Sequence, residues 1–192
     1  QLFFRAAQGE VELTAMSPDH IARAGIARTF QNIRLFTDLS VLDNVKVGLH
    51  GRTRGGFWQA LGGNRSEERR ITGAALQYLD FVGLADQAAE QSDSLSYGEQ
   101  RKLEIARALA CGPQLLLLDE PAAGMNPQET QTLVELIRRI RQAGVTILLI
   151  EHDMKLVMRI SDFVYVLDHG ELIAAGQPAA VQKDPRVIAA YL

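Results

Sequence analysis

Two carboxylates stand side by side directly after a short aliphatic run. Leu115 to Leu118 is followed by Asp119 and Glu120. A run that is apolar on both faces is typical of a central parallel strand buried between helix layers. Ligands of open α/β sheets bind beyond the carboxyl ends of such strands, where one carboxylate can help to hold Mg²⁺ and the other can polarise a water. The alternative is a solvated strand end, because acidic residues are common there.

A second aliphatic run also ends in polar residues. Val145 to Ile150 predicts another strand buried on both faces, and Glu151-His152-Asp153 follows it. His152 is therefore a candidate for the same sheet edge. A lone histidine after a strand is more often structural than catalytic, so its role depends on the motifs around it.

Residues 95–100 read Leu-Ser-Tyr-Gly-Glu-Gln and precede a predicted helix. The hydroxyl of Ser96, the close approach that Gly98 permits and the free N–H groups of a helix start together favour an anion site. A purely structural capped helix start is the alternative.

The elements that must position these residues alternate between strand and helix, which predicts an α/β fold with a helical insertion. Asn126-Pro127 predicts the start of the helix that links the two buried strands. Strands are predicted at residues 9–15, 26–30, 115–118, 145–150, 163–167 and 171–175, the last two as a hairpin; helices are predicted at 40–49, 66–82 and 126–142, with a loop at 51–65.

Composition narrows the class of protein. The 192 residues are 47% apolar, enough for one sizeable core or two small lobes. A net charge of -3, from 20 basic and 23 acidic side chains, argues against nucleic acid as a partner. The single Cys111 cannot form an internal disulfide, and no apolar run approaches the roughly 18 residues that span a bilayer.

In combination, these segments closely resemble the ABC ATPase family. Residues 95–109 are similar to its signature motif and following helix, and residues 115–121 to its Walker B strand. Thr29-Phe30-Gln31 resembles the Q-loop, residues 123–126 the D-loop and residues 150–153 the switch-histidine segment. Two positions depart from the family pattern: Tyr97 stands where a second glycine is usual, and Asn126 where an aspartate is usual.

The resemblance implies a P-loop NTPase-like core with a mostly parallel sheet, formed by residues 1–35 and 111–192, and an inserted helical signature subdomain at 36–110. It implies ATP and Mg²⁺ as cofactors. Catalytic roles would fall to Glu120, His152 and Gln31, metal binding to Asp119 and Gln31, and nucleotide binding to Leu95, Ser96, Gly98, Glu99 and Asn126. Because the family's subunits pair head to tail, the signature residues would serve the ATP of the partner subunit.

Within the family, the chain looks most like the ATP-binding subunits of branched-chain amino acid importers. The similarity rests on residues 25–36, Tyr97, the Gly-Met-Asn-Pro turn at 124–127 and residues 151–158. The ATP-binding subunits of urea or short-amide importers share much of this sequence pattern and remain an alternative. The implied partners are a second ATP-binding subunit, transmembrane permease subunits and, indirectly, a solute-binding protein, with the subunit peripheral on the cytoplasmic face of the plasma membrane.

A phosphate-binding Gly-x-x-x-x-Gly-Lys-Ser/Thr loop does not occur in the 192 residues; the nearest glycine cluster, residues 62–66, lacks the lysine and the spacing. We expect the missing strand, loop and helix to precede Gln1, and the 192 residues alone to be inactive. The alternative is a non-catalytic module that lends its signature motif to an active partner. An ABC protein of translation or repair would normally carry a tandem cassette or a coiled-coil insertion.

Overall fold

The computed structural model describes residues 2–6, 9–50 and 65–191. The chain divides into two compact units, Gln1–Leu149 and Ile150–Leu192. The predicted loop at 51–65 lies, apart from Arg65, outside the described residues. None of the helices in the described ranges is long and apolar enough to cross a membrane.

The first unit carries its strands in two groups. β1 (Phe3–Ala6), which the sequence did not predict, pairs antiparallel with β2 (Gly9–Glu12). β3 (Ile26–Arg28), β4 (Leu115–Asp119) and β5 (Thr146–Ile150) form a second sheet in that order, and β3 runs parallel to β4. This order places the chain's two predicted buried strands next to each other.

The two central strands differ in burial. Leu116 and Leu118 of β4 are fully buried, as their aliphatic run predicted. The prediction that β5 is buried on both faces is wrong, because Leu148 and Ile150 are 48% and 51% exposed. The apolar side chains on that face of β5 are therefore about half exposed.

The helices of the first unit follow the predicted order. They are α1 (Pro18–Arg23), α2 (Val41–His50), α3 (Arg65–Val82), α4 (Tyr97–Ala110) and α5 (Pro127–Gln142), with 3₁₀ turns at Ala85–Gln87 and Ser92–Ser94. α2, α3 and α4 pack on one another, and α4 also contacts β3. Their common core is aliphatic: Val41, Val45, Ala75, Leu79, Leu103 and Ile105 are fully buried. The predicted domain boundaries at 36 and 110 stay a prediction, since α4 joins the helical group to the sheet.

The second unit is built on the predicted hairpin. β6 (Val164–Asp168) and β7 (Glu171–Gly176) pair antiparallel, and α6 (Met154–Ile160), α7 (Pro178–Val181) and α8 (Pro185–Tyr191) complete the unit. His169 and Gly170 form the turn with φ of 46° and 83°, the left-handed pair that suits the twist of two-residue hairpins. Val164, Val166, Ala174, Val181 and Val187 form its core.

Candidate functional site

The carboxylate pair lies at the carboxyl end of β4. Asp119 is the last residue of the strand, and Glu120 follows with φ of 42°. Left-handed backbone costs a non-glycine residue about 1–3 kcal/mol, and such residues concentrate at functional sites. His169, which shares this conformation, sits in a hairpin turn where it is ordinary. Glu120 instead opens the turn at 121–124, where Ala123 N donates to its carbonyl oxygen at 3.1 Å.

Gln31 reaches the carboxylate of Glu120. Its side-chain Nε2 donates a hydrogen bond of 3.0 Å to Oε2 of Glu120. The predicted strand at 26–30 ends early, at Arg28, and Thr29 N makes a further bond of 2.9 Å to Leu117 O. After that bond the backbone leaves the sheet, which carries Gln31 towards the end of β4. Two of the three predicted catalytic residues therefore meet.

Asp119 has a basic neighbour that the sequence did not single out. Nη2 of Arg28 lies 2.8 Å from Oδ2 of Asp119. The guanidinium carbons of Arg28 and Arg34 stand 5.5 and 4.5 Å from the ring centroid of Phe30, within the range of cation–π attraction. Arg28, the last residue of β3, thus brings positive charge to Asp119.

The donor set suits a metal ion that is held mainly by a phosphate ligand. Mg²⁺ typically takes one or two carboxylates and completes its shell with phosphate oxygens and waters. A carboxylate from Asp119 and the amide oxygen of Gln31 are of that type. In the described ranges no group of three or more His, Cys, Asp or Glu side chains could hold a metal ion.

The start of α4 carries a complete capping box. Ser96 Oγ accepts from Glu99 N at 3.4 Å and donates to Glu99 Oε2 at 2.7 Å, while Ser96 N donates to the same carboxylate oxygen at 2.9 Å. Hydrogen bonds from Ser96 and from Gln87 Nε2, the latter 2.7 Å long, lower the pKa of Glu99. Leu95 is only 5% exposed, and its carbonyl oxygen accepts from Gln100 Nε2 at 3.0 Å.

A second capped helix start lies beside the first. Asn126 Oδ1 accepts from Gln128 N and Glu129 N at 3.0 and 2.9 Å, and Glu129 Oε2 accepts from Asn126 N at 2.9 Å. The asparagine thus supplies the cap that the usual aspartate would supply. A Cβ added to Gly98 would lie 3.1 Å from Glu129 Oε1. The two helix starts border a cleft of about 220 Å³, whose lining includes Ser96, Gly98, Glu99, Lys102, Met125 and Glu129.

Tyr97, which stands where the family pattern has a glycine, is the first residue of α4, and its ring lies next to Gly124. A Cβ added to Gly124 would be 3.5 Å from its ring, and its hydroxyl oxygen accepts from Arg101 Nη2 at 3.4 Å. Tyr97 does not line the cleft that Ser96 and Gly98 share. The tyrosine side chain at this position therefore packs against Gly124 and accepts a hydrogen bond from Arg101.

Arg101 and Glu104, to which no motif assigned a role, are almost completely buried, with side-chain exposures of 0% and 2%. Arg101 Nη1 and Glu104 Oε2 are 2.7 Å apart. The sequence offered one signal: the two charges are three residues apart in a predicted helix, so they lie on the same side of it. That ordering alone does not reveal what they contact.

His152 belongs to the second unit. It is exposed and lies between the end of β5 and Asp153, which caps α6 by accepting from Lys155 N at 2.9 Å and Leu156 N at 3.2 Å. The cap fixes the backbone on which His152 is carried. Its predicted contact with the γ-phosphate stays a prediction.

Comparisons with known proteins give matches over most of the chain. Residues 3–123 match the family model of the ABC transporter, and residues 171–192 match that of the branched-chain amino acid ATP-binding cassette transporter. The chain is 44% identical over 188 residues to the high-affinity branched-chain amino acid transport ATP-binding protein LivG of Salmonella typhimurium, covering 95% of this chain and 73% of the relative. It is 43% identical to BraF of Pseudomonas aeruginosa, of the same description, over 94% of this chain and 72% of the relative.

Solved structures show the same fold. A nucleotide-free ATP-binding cassette from an ABC transporter matches with a TM-score of 0.78 and 27% sequence identity, over 95% of this chain and 74% of that one. The α/β fold class predicted from the sequence is thereby confirmed. The chain belongs to the family of ABC transporter ATP-binding proteins.

Proposed function

We propose that this protein is the ATP-binding and ATP-hydrolysing subunit of an importer for branched-chain amino acids. The observation that carries the catalytic part is the hydrogen bond between Gln31 and Glu120, because it brings a Q-loop amide to the carboxylate at the end of β4. The substrate class is supported by the names of the relatives and by the family match at residues 171–192.

In the proposed mechanism, Glu120 activates the water that attacks the γ-phosphate in line. Its carboxylate accepts the proton and receives a hydrogen bond of 3.0 Å from Gln31 Nε2. The Gln31 amide orients the carboxylate and the water. His152 stabilises charge that develops on the γ-phosphate.

Asp119 and the amide oxygen of Gln31 would hold Mg²⁺ with the nucleotide. The ion would supply positive charge to the phosphate oxygens. Arg28 Nη2 contacts Asp119 through Oδ2 at 2.8 Å, and a carboxylate has further acceptor positions for a metal ion.

The capped starts of α4 and α5 provide the second half of the proposed nucleotide site. Ser96 and Gly98 present their helix start to the ATP of a second subunit, flanked by Leu95, Glu99 and Asn126. Partners on the membrane side are permease subunits, with a solute-binding protein acting through them, at the cytoplasmic face of the membrane. Without a phosphate-binding loop, we propose that the 192 residues alone do not hydrolyse ATP.

Replacing Glu120 tests the catalytic assignment. In the complete subunit, Glu120→Gln removes the proton acceptor but keeps the shape, so we expect kcat for ATP to fall by about 10²–10⁴-fold with nucleotide binding retained. Glu135→Gln, an exposed glutamate of α5, is the matched control and should leave kcat unchanged. Unchanged turnover in Glu120→Gln would mean that the base lies elsewhere.

The substrate class is tested separately, by uptake. Cells that carry the complete subunit with its membrane partners should accumulate labelled leucine, isoleucine and valine, and lose this uptake with Glu120→Gln. Uptake of urea or acetamide in their place would assign the chain to the amide importers.

A further inference from the structure

The buried side of α4 grips the irregular segment that follows β3. Residues 30–34 form neither helix nor strand, so their backbone polar groups need partners from elsewhere. Arg101 donates from Nη1 to Phe30 O at 2.6 Å and from Nη2 to Gln31 O at 2.8 Å. Glu104 Oε1 accepts from Phe30 N at 3.4 Å and from Arg34 N at 3.3 Å.

A third residue of α4 continues this row of contacts. Arg107, one further turn along, donates from Nη2 to Arg34 O, and its guanidinium carbon lies 5.3 Å from the ring centroid of Phe36. Burial lowers the pKa of Arg107. Since residues three apart share a helix face, Arg101, Glu104 and Arg107 act from one side of α4.

Stability alone does not account for the Arg101–Glu104 pair. Burying two charges costs several kcal/mol per ion, and well-packed apolar side chains of the same volume are often as stable. What apolar side chains cannot do is bind the backbone carbonyl and amide groups of the segment. The pair therefore specifies one backbone conformation for residues 30–34.

That conformation places the side chain of Gln31. Arg101 binds the carbonyl of Gln31, whose side chain reaches Glu120 at 3.0 Å. The same guanidinium touches the hydroxyl of Tyr97, the first residue of α4, directly after Ser96. A continuous set of contacts thus leads from the signature segment to the carboxylate of Glu120.

We propose that Arg101 and Glu104 are positioning residues that fix the backbone of residues 30–34 from α4 and thereby hold Gln31 against Glu120. The proposal rests on the proposed function, since it concerns the same carboxylate. Arg101 and Glu104 do not touch the reacting atoms. They act through Gln31, so that a displacement of α4 also displaces the Q-loop amide.

A double-mutant cycle in the complete subunit tests this. Arg101→Lys keeps the charge, but an ammonium group cannot reproduce the planar fork that binds two carbonyls. We expect kcat for ATP to fall about tenfold with KM changed less than about twofold, because a small misplacement of a positioned group acts mainly on the chemical step. In a Gln31→Ala background the same change should lower kcat by less than about twofold, since residues that act as a unit are not additive. Equal losses in both backgrounds, or no loss in either, would refute the proposal.

A second measurement keeps the test valid if Arg101→Lys folds poorly. Glu104→Gln keeps an acceptor oxygen but removes the charge, and we expect faster hydrogen exchange at the amides of Phe30 and Arg34, with the exchange of α5 unchanged. Unchanged exchange at both amides would contradict the proposal. Arg69→Lys, at an exposed position of α3, is the matched control and should alter neither kcat nor exchange. Failure of the proposed function is distinguishable, because Glu120→Gln would then leave turnover intact whatever Arg101→Lys does.

Discussion

Two residues at this site adopt a backbone conformation or a degree of burial that is unusual for their residue types. Glu120 adopts a left-handed backbone that glycine adopts more readily, and Arg101 is fully buried although arginine is among the most exposed residue types. Both exceptions are tied to Gln31, through its side chain and its carbonyl respectively. The strained residue and the buried charge thus both contact Gln31. Such exceptions to residue preference are expected at functional sites.

The capping carboxylate of Glu99 gives a pH prediction. Hydrogen bonds from Ser96 and Gln87 lower its pKa from the ordinary 4.5, so its contribution to stability is complete above that value and is lost as the pH falls through the lowered pKa of the folded state. We expect the difference in free energy of unfolding between the native subunit and Glu99→Gln to be constant above about pH 6 and to shrink below about pH 4.5.

Urea unfolding between about pH 7 and pH 3 measures that difference, with Glu135→Gln as the control for loss of a carboxylate. A difference that grows as the pH falls would have the opposite sign and would show that the neutral acid, rather than the carboxylate, is the better cap.

The packing of α2 against α4 depends on a glycine at their point of contact. Gly48 of α2 faces α4, and a Cβ there would lie 2.3 Å from Arg107 O and 2.9 Å from Ala110 Cβ. Because backbone cannot move aside as a flexible side chain can, Gly48→Ala forces α2 and α4 apart. We expect it to lower the free energy of unfolding by about 1–3 kcal/mol, the usual cost of overpacking, despite the better helix propensity of alanine.

Gly73, in the interior of α3, is the matched control. A Cβ there meets nothing within 4 Å, so Gly73→Ala should raise the free energy of unfolding by about 0.5–1 kcal/mol. Thermal or urea unfolding of both variants measures the contrast. Equal effects would mean that α2 and α4 are not held at this distance.

The elements show where sequence reasoning succeeds. The order of helices and strands and the hairpin with His169-Gly170 followed from local patterns and turn residues, which act within a few positions of the chain. β1 did not follow, because Phe3–Ala6 has no alternation and exists through its pairing with β2. The Arg101–Glu104 contacts lie about seventy positions from their partners along the chain, and no local pattern specifies which backbone groups a buried ion pair will meet. The proximity of Gln31 and Glu120 could be predicted only because both residues occupy motifs of the family.

At the scale of the whole molecule, the described site offers carboxylates, an amide and capped helix starts. Binding of a nucleoside triphosphate also requires oriented N–H groups and a lysine around its β and γ phosphates. A Gly-x-x-x-x-Gly-Lys loop supplies these groups. The 192 residues contain no such motif. Glu120 could then activate a water but would have no positioned phosphate for the water to attack.

We therefore expect the 192 residues, purified alone with Mg-ATP, to release phosphate at the rate of a buffer control. The complete subunit, assayed in parallel, should release phosphate well above the rate of the buffer control. Adding the 192 residues to an active subunit tests the shared site further. If Ser96 and Gly98 serve a neighbouring ATP, the added chain should alter the partner's turnover, and Gly98→Trp in the added chain should abolish that effect. Hydrolysis by the 192 residues alone that is lost with Glu120→Gln would show that the phosphate is held by residues other than a Gly-x-x-x-x-Gly-Lys loop.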